Sequence, residues 1–282
     1  MQNARMLGIK HLYHYQNANL KWLEPTVLQN TVHCPSPGDF NDPWDCKPCF
    51  TESVADDPAE REQLVQFMEN ADRKCYPGKP EEERRHISQR LRTDVEFLKS
   101  NIRQLSNIGD LLAKQFRVYC LSTQPDLILM WGHYAAKHTG LCLEFSTDNE
   151  VFADALKVEY CDDYPRLQYG DSALATALMP MLTKSAEWQH ENEFRLISEE
   201  KSRALSATSL HSENHVLSIP GTALKSIILG NLAPTDFCNQ VHELVAGHNI
   251  VLKQAIRIRD RFALTIEPYS SKKRSALVSR ET

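Results

Sequence analysis

Apolar and polar positions along this chain change period several times, and each change marks an element. Residues 9–15, IKHLYHY, alternate and predict a short strand. Residues 17–28 carry apolar side chains at helical spacing, with Pro25 at a helix start or a bend. From 31 to 50 the pattern dissolves into Pro35, Pro37, Gly38, Asn41, Asp42 and Pro43, the composition of a structured loop. Residues 52–115 then place Leu64, Phe67, Met68, Ile87, Leu91, Val95, Leu98, Ile102 and Leu105 at helical intervals among Glu, Arg, Gln and Lys. Two or three helices broken at YPGKP, 76–80, are expected there as an insertion or lid, their charges forming solvated faces.

From Phe116 the strand pattern returns. Strands are expected over 117–121, 140–145, 156–160, 193–198, 215–219, 224–229 and 251–258, with 261–268 closing the sheet. Helices are expected over 127–137, 172–187 and 235–246. There is no internal repeat. The order predicts an α+β fold, a single domain over 1–268 with a helical insertion, followed by a disordered basic tail, 269–282.

At 282 residues, 41% hydrophobic and 24% charged, the chain has a globular composition. No apolar run approaches the ~20 residues of a spanning helix. The opening MQNARMLGIKHLYHY lacks the apolar core of a signal peptide, so a cytoplasmic protein without membrane association is expected. Eight cysteines scattered through such a chain read as reduced thiols. Cys46 and Cys49 form the one CxxC, but no second ligand pair accompanies them, so no metal site is expected. A net charge of −5 gives no whole-molecule attraction to nucleic acid. Arg257, Arg259 and Arg261, followed by Lys272, Lys273 and Arg274, read first as the wet side of an edge strand. A single-stranded nucleic acid partner is the functional alternative.

Three constellations carry candidate chemistry. In Phe40-Asn41-Asp42-Pro43-Trp44-Asp45, Asn and Asp fix turns by bonding nearby backbone, and the same loop can form a pocket wall with Phe40 or Trp44 stacking. In LMWGHYAAKHTGLCLEF, Trp131, His133, Tyr134 and His138 are either core aromatics or a ligand wall, and Gly132 and Gly140 permit close approach. In KSAEWQHENEFRLI, strand alternation puts Glu191, Glu193 and Arg195 on one face and Phe194 and Leu196 on the other. That is either a salt-bridged solvent face or a carboxylate set able to stabilise a cationic transition state. There is no phosphate-binding P-loop, no HExxH and no GxSxG, and ten glycines leave little for a Rossmann fingerprint.

In order, LYHY, PSPGDFNDPWDC, CLS, LMWGHYAAKHTGLCLEF, VEY, KSAEWQHENEFRLI and SIILG resemble the motif series of the bacterial "domain of unknown function 2971" family. The likeness spans about residues 12–230, with 52–115 as a variable insert. More distantly the chain is similar to ADP-ribosyltransferase-like toxins. That resemblance implies a split mixed or antiparallel sheet core and NAD as substrate. It assigns His14 to the adenosine-side ribose, Tyr134 (or Ser122) to the middle position, and Glu193 to the ribose as catalytic carboxylate. Glu191 or His138 would orient or deprotonate the acceptor. Tyr13, Asn41, Asp42, Ser122, Trp131 and His138 complete the NAD-facing set beside His14, and Glu193, Glu191 and Tyr134 are the catalytic set. It further implies a toxin or anti-phage effector acting on nucleic acid or protein, with an antitoxin or chaperone to neutralise it. The departures are a middle motif inside a helix-like run and the large insert. A nucleotide-binding sensor without catalysis, and a metal-dependent nuclease built on Glu191, Glu193 and Asp42, are the other readings.

Overall fold

The structure, a computed structural model, describes residues 1–47, 52–105, 113–163, 178–200 and 209–270. Alternating aromatic and aliphatic residues build β1 (His11–Gln16), β3 (Phe116–Ser122), β4 (Leu141–Ser146), β8 (Glu193–Glu200), β11 (Leu224–Leu229), β12 (Val251–Arg257) and β13 (Leu264–Pro268). Shorter strands are β2 (Thr31–His33), β5 (Leu156–Lys157), β6 (Glu159–Cys161), β7 (Thr183–Ser185), β9 (His211–Glu213) and β10 (Val216–Ser218). Hydrogen bonding runs in the order β13-β12-β11-β4-β1-β3-β8-β9-β10-β2, with β5 on β8 and β6-β7 as a separate pair. The β11–β12 and β8–β9 pairings are parallel and the other pairings within this sheet antiparallel, so the fold is a mixed α+β sheet with several helices. Among the described residues one ladder continues from β13 to β2, beside the separate β6-β7 pair.

Side chains alternate across this sheet, and the two faces differ. One buries Leu12, Tyr119, Leu121, Leu143, Phe145, Phe194, Leu196 and Ile227 against α1 (Leu20–Leu28) and α6 (Thr235–Leu244). Helix α1 starts at Asn19, whose side chain accepts from the Lys21 N–H at 3.0 Å, and it accommodates Pro25 within its length. The other face carries two apolar patches. Tyr15, Cys142, Ile228 and Ala255 pack on Met130 and Trp131 of α5 (Ile128–His133), and Phe116, Val118 and Ile197 pack on Met181 and Leu182. Ser122, Glu193 and Arg195 occupy polar positions on that second face.

The insertion forms α2 (Pro58–Cys75), α3 (Glu81–Thr93) and α4 (Val95–Leu105), broken at 76–80 as its composition predicts. Leu64, Val65, Leu91, Leu98 and Ile102 give it a core of its own with Val54 and Ala55. Asp57 caps α2 by accepting from Ala59 and Glu60 N–H groups. Among the described residues no helix is long and apolar enough to cross a membrane.

Three elements differ from expectation. The loop at 31–50 contains β2, because Val32 finds a buried partner in Leu217 of β10. The helix expected over 127–137 stops at His133, since Ala136, Lys137 and His138 all take left-handed φ (47°, 56°, 69°) before the entry to β4. Of the helix expected over 172–187, residues 172–177 lie outside the described residues, and beyond them 3-10 turns at Met179–Met181 and Ala186–Glu191 flank β7. Pro180 cannot supply a helical N–H there. The tail from 271 onward, with Cys49 of the CxxC, also lies outside the described residues.

Candidate functional site

The site begins with the entry to β8. The 3-10 turn Ala186–Glu191 is capped by Ser185 and ends at Asn192, which takes left-handed φ of 47° and turns the chain into the strand. Asn tolerates that conformation better than other side-chain-bearing residues. Glu191 and Glu193 therefore flank one left-handed residue, and both reach the same ammonium. Lys184, from β7, donates to Glu191 Oε2 at 2.6 Å and to Glu193 Oε2 at 3.2 Å, with Asp45 Oδ2 3.6 Å away.

Arg195, two residues along β8 and fully buried, forks twice. Its Nε and Nη2 donate to Glu193 at 2.7 and 2.9 Å, while Nη1 and Nη2 donate to Asp45 at 2.9 and 2.6 Å. Nη1 also meets the Met181 carbonyl at 2.8 Å and Cys46 Sγ at 3.0 Å. The guanidinium matches carboxylates bidentately, which suits burial. Tyr134 closes the other end, its hydroxyl donating to Glu191 Oε1 at 2.7 Å. Ser122 Oγ donates to the Glu191 carbonyl at 2.7 Å, and the Glu193 N–H donates to the Tyr160 hydroxyl oxygen at 2.9 Å.

Three carboxylates thus share two cations in a buried place, and their protonation separates. Burial works to raise Glu193, but Arg195 and Lys184 outweigh it and bring its pKa down to about 2. Glu191 goes the other way: burial raises it, Glu193 adds to the rise, and Lys184 offsets them only in part. Burial alone lowers Lys184, yet the neighbouring carboxylates hold it well above the usual lysine range, so it stays an ammonium. Tyr134 is pushed up by burial and by Glu191 and remains a neutral donor. Two acids in contact with opposite shifts are the pattern that assigns acid and base roles.

A cleft of about 410 Å³ opens over this cluster, between Trp44 and Trp188, with Asp45 and Lys184 among its lining residues. Trp44 is 68% exposed, and the Lys184 ammonium sits 5.1 Å from the centre of the Trp188 ring. Lys184 is the residue that belongs both to the cleft wall and to the two glutamates. His133, 6.1 Å from Trp188, extends the aromatic rim toward Tyr134.

The residues singled out from sequence divide clearly. Glu191, Glu193, Tyr134 and Ser122 come together as described, and Asn41 and Asp42 line the cleft. Asp42 also fixes the loop, its carboxylate accepting from the Trp44 N–H at 2.9 Å. Tyr13 shares the face, paired across the ladder with Ser122, but its hydroxyl donates to Glu144 at 3.3 Å in a separate polar group with Lys253 and Ser226. His14 is not brought to the site. Adjacent strand residues point to opposite faces, so it stacks on Tyr119 at 4.1 Å on the far side, its Nδ1 2.8 Å from the Cys120 carbonyl oxygen. Burial lowers its pKa to about 4. Trp131 is core, fully buried with its indole N–H donating to the Pro125 carbonyl at 2.8 Å. His138 lies over the Trp131 ring at 6.3 Å.

Asp45 and Lys184 were not among the residues the sequence nominated. Both stand inside the quoted motifs, but nothing in their spacing announces a shared partner. The thiols nearby, Cys46 and Cys120, are raised well above the usual cysteine range, first by burial, and are poor nucleophiles.

Residues 130–196 match the model of a family described as a protein of unknown function (DUF2971). That span holds Tyr134, Lys184, Glu191, Glu193 and Arg195, while Asp45 reaches the site from outside it. The comparisons with curated proteins and with solved structures found no match.

Proposed function

We propose that this chain transfers ADP-ribose from NAD to a macromolecular acceptor, with Glu193 and Glu191 as the working pair. The observation that carries the reading is geometric: both carboxylates bond one shared ammonium, and their surroundings push their proton affinities in opposite directions. Cleaving the nicotinamide–ribose bond sends the bonding pair to nicotinamide and leaves oxocarbenium character on the ribose, as in glycoside hydrolysis. An ionised Glu193 suits the stabilisation of that charge and the acceptance of a ribose hydroxyl. As the acceptor bonds to the ribose carbon, its proton passes to Glu191, whose proton affinity is raised. Tyr134 holds Glu191 throughout. For a ribose to reach Glu193, the Lys184 ammonium must first release it, and Arg195 keeps the carboxylate in place when it does. The cleft suits the cationic nicotinamide end: its lining carries five acidic residues, Asp42, Asp45, Asp162, Asp163 and Glu187, against Lys47 and Lys184. The toxin or defence setting, and a split-sheet kinship with transferases, belong to this proposal.

A second reading, a sensor that binds a nucleotide without turning it over, is favoured by one observation. Both oxygens of Glu193 already accept from Arg195, and one also from Lys184.

Incubation with NAD labelled in the adenylate moiety, in the presence of cell lysate, separates the two. Nicotinamide release and macromolecular labelling, both lost in Glu193→Gln, support transfer. NAD binding by calorimetry without release supports the sensor. Neither binding nor release overturns both.

A further inference from the structure

Strands β12 and β13 are joined by a hairpin whose tip closes where the Ile258 N–H donates to the Ala263 carbonyl at 3.0 Å. Phe262 stands at this tip with 104% of its reference area exposed, the highest of the large apolar side chains among the described residues. Among the described residues nothing covers either face of the ring. Arg257, Arg259 and Arg261 precede it in the same hairpin, all exposed. None of the three makes an ion pair with a carboxylate among the described residues. On the insertion exposed Arg73 pairs with Glu81, Arg90 with Asp94 and Arg103 with Glu52, whereas the hairpin gathers three exposed arginines with none so paired. Asp260 is the one acid in the turn, so the tip carries a surplus of two positive charges on a chain whose net charge is −5. Asn231 ties the hairpin to the body, its side chain accepting from the Arg257 N–H at 3.2 Å, and the exposed Leu232 lies next to it.

We propose that this hairpin tip binds single-stranded nucleic acid, which is then the acceptor in the transfer reaction, so the assignment of acceptor rests on the function proposed above. A flat ring free on its faces among guanidinium groups is the combination that stacks an unpaired base while its phosphates are held. Arginine serves both tasks, since its planar fork fits phosphate and also stacks. Duplex is not favoured, because its bases are already stacked and a single ring adds nothing to phosphate contacts. A lipid surface is the weaker fit: one ring and one leucine give little apolar area to insert, and stable anchoring takes more than one such signal.

The test is fluorescence anisotropy of a labelled 12-nucleotide single strand, RNA and DNA in parallel, with the full chain and no NAD. Three phosphate contacts predict a slope near −2 in log affinity against log salt, from about −0.7 per contact on single strands. Phe262→Ala is expected to weaken binding about 5- to 150-fold, the range for losing one stacked base. Arg259→Ala is expected to make the salt slope shallower by about 0.7. Absence of binding at low salt, equal binding by wild type, Phe262→Ala and Arg259→Ala, or binding only to vesicles containing phosphatidylserine would each overturn the proposal. Nicotinamide release from NAD is followed on the same variants and is expected to be unchanged. Strand binding without release removes the transferase reading and leaves the hairpin assignment standing, while release without strand binding does the reverse.

Discussion

Arg195 and Asp45 lie 150 positions apart in the chain and meet through two hydrogen bonds of 2.9 and 2.6 Å in the interior. This pairing fastens the 41–47 loop, one wall of the cleft, to strand β8. It also completes the charge balance that holds Glu193 ionised.

Arg195→Leu should therefore be among the most damaging single changes. It leaves Asp45 and Glu193 buried with Lys184 as their remaining cation, and breaking a buried pair from one side costs about 3–5 kcal/mol. Arg195→Lys should recover little of that, because an ammonium cannot fork to two carboxylates. Urea denaturation measures both, and near-wild-type stability in the lysine variant would count against the bidentate geometry.

Trp131 and Tyr134, three residues apart, should behave in opposite ways. Trp131→Ala opens a cavity in the core and is expected to cost about 3–5 kcal/mol. Tyr134→Phe loses one hydrogen bond to Glu191, about 1 kcal/mol, and keeps the fold. NAD turnover should nevertheless fall in Tyr134→Phe. Denaturation curves beside nicotinamide release distinguish the two.

The two glutamates predict opposite pH dependences. Glu193 is depressed in the folded state, so its contribution is complete above the unfolded value of ~4.3. It is lost as pH falls from there toward about 2, on the order of 3 kcal/mol in all. Glu191 is raised, so its contribution is complete below ~4.3 and declines as pH climbs through the folded value. The stability of wild type relative to Glu191→Gln should fall as pH rises above ~4.3. For Glu193→Gln the same difference should grow as pH rises from 2 to 4. Unfolding free energies across pH give both slopes.

His14 adds a dependence of its own. Burial lowers its pKa to about 4, so the unfolded chain binds the proton first as pH drops below ~6.5. Stability from this group is present above ~6.5 and lost as pH falls toward 4. His14→Phe should flatten that window while leaving NAD turnover unchanged, since the ring lies across the sheet from Glu193. A large loss of turnover in a folded His14→Phe protein would place the ring at the site after all.

The sequence made the strands legible because period-two alternation is local. LYHY, CLS, LCLEF and EFRLI all sit where their patterns predict. It also contains the reason His14 fails to join Tyr13: neighbours on a strand point to opposite faces and cannot enter one pocket. The helix over 127–137 was cut short by three left-handed residues that helix propensity does not announce. Strand β2 depends on β10 for its existence, and the Asp45–Arg195 pairing depends on the loop folding back onto β8. Both are tertiary, so no local window contains them. The Glu191–Glu193 pair was visible as alternation, but its partner Lys184 reaches it through the short β6–β7 ladder, a feature of topology alone.

Asn192 separates the chemistry of this site from its inventory. Glu191 and Glu193 reach one ammonium from either side of a residue held at φ 47°. A β-branched residue at 192, such as Asn192→Val, keeps every ionisable group and removes the conformation that lets both acids reach one ammonium. A chain could then retain both glutamates, the lysine and the arginine and still lose the arrangement that joins them.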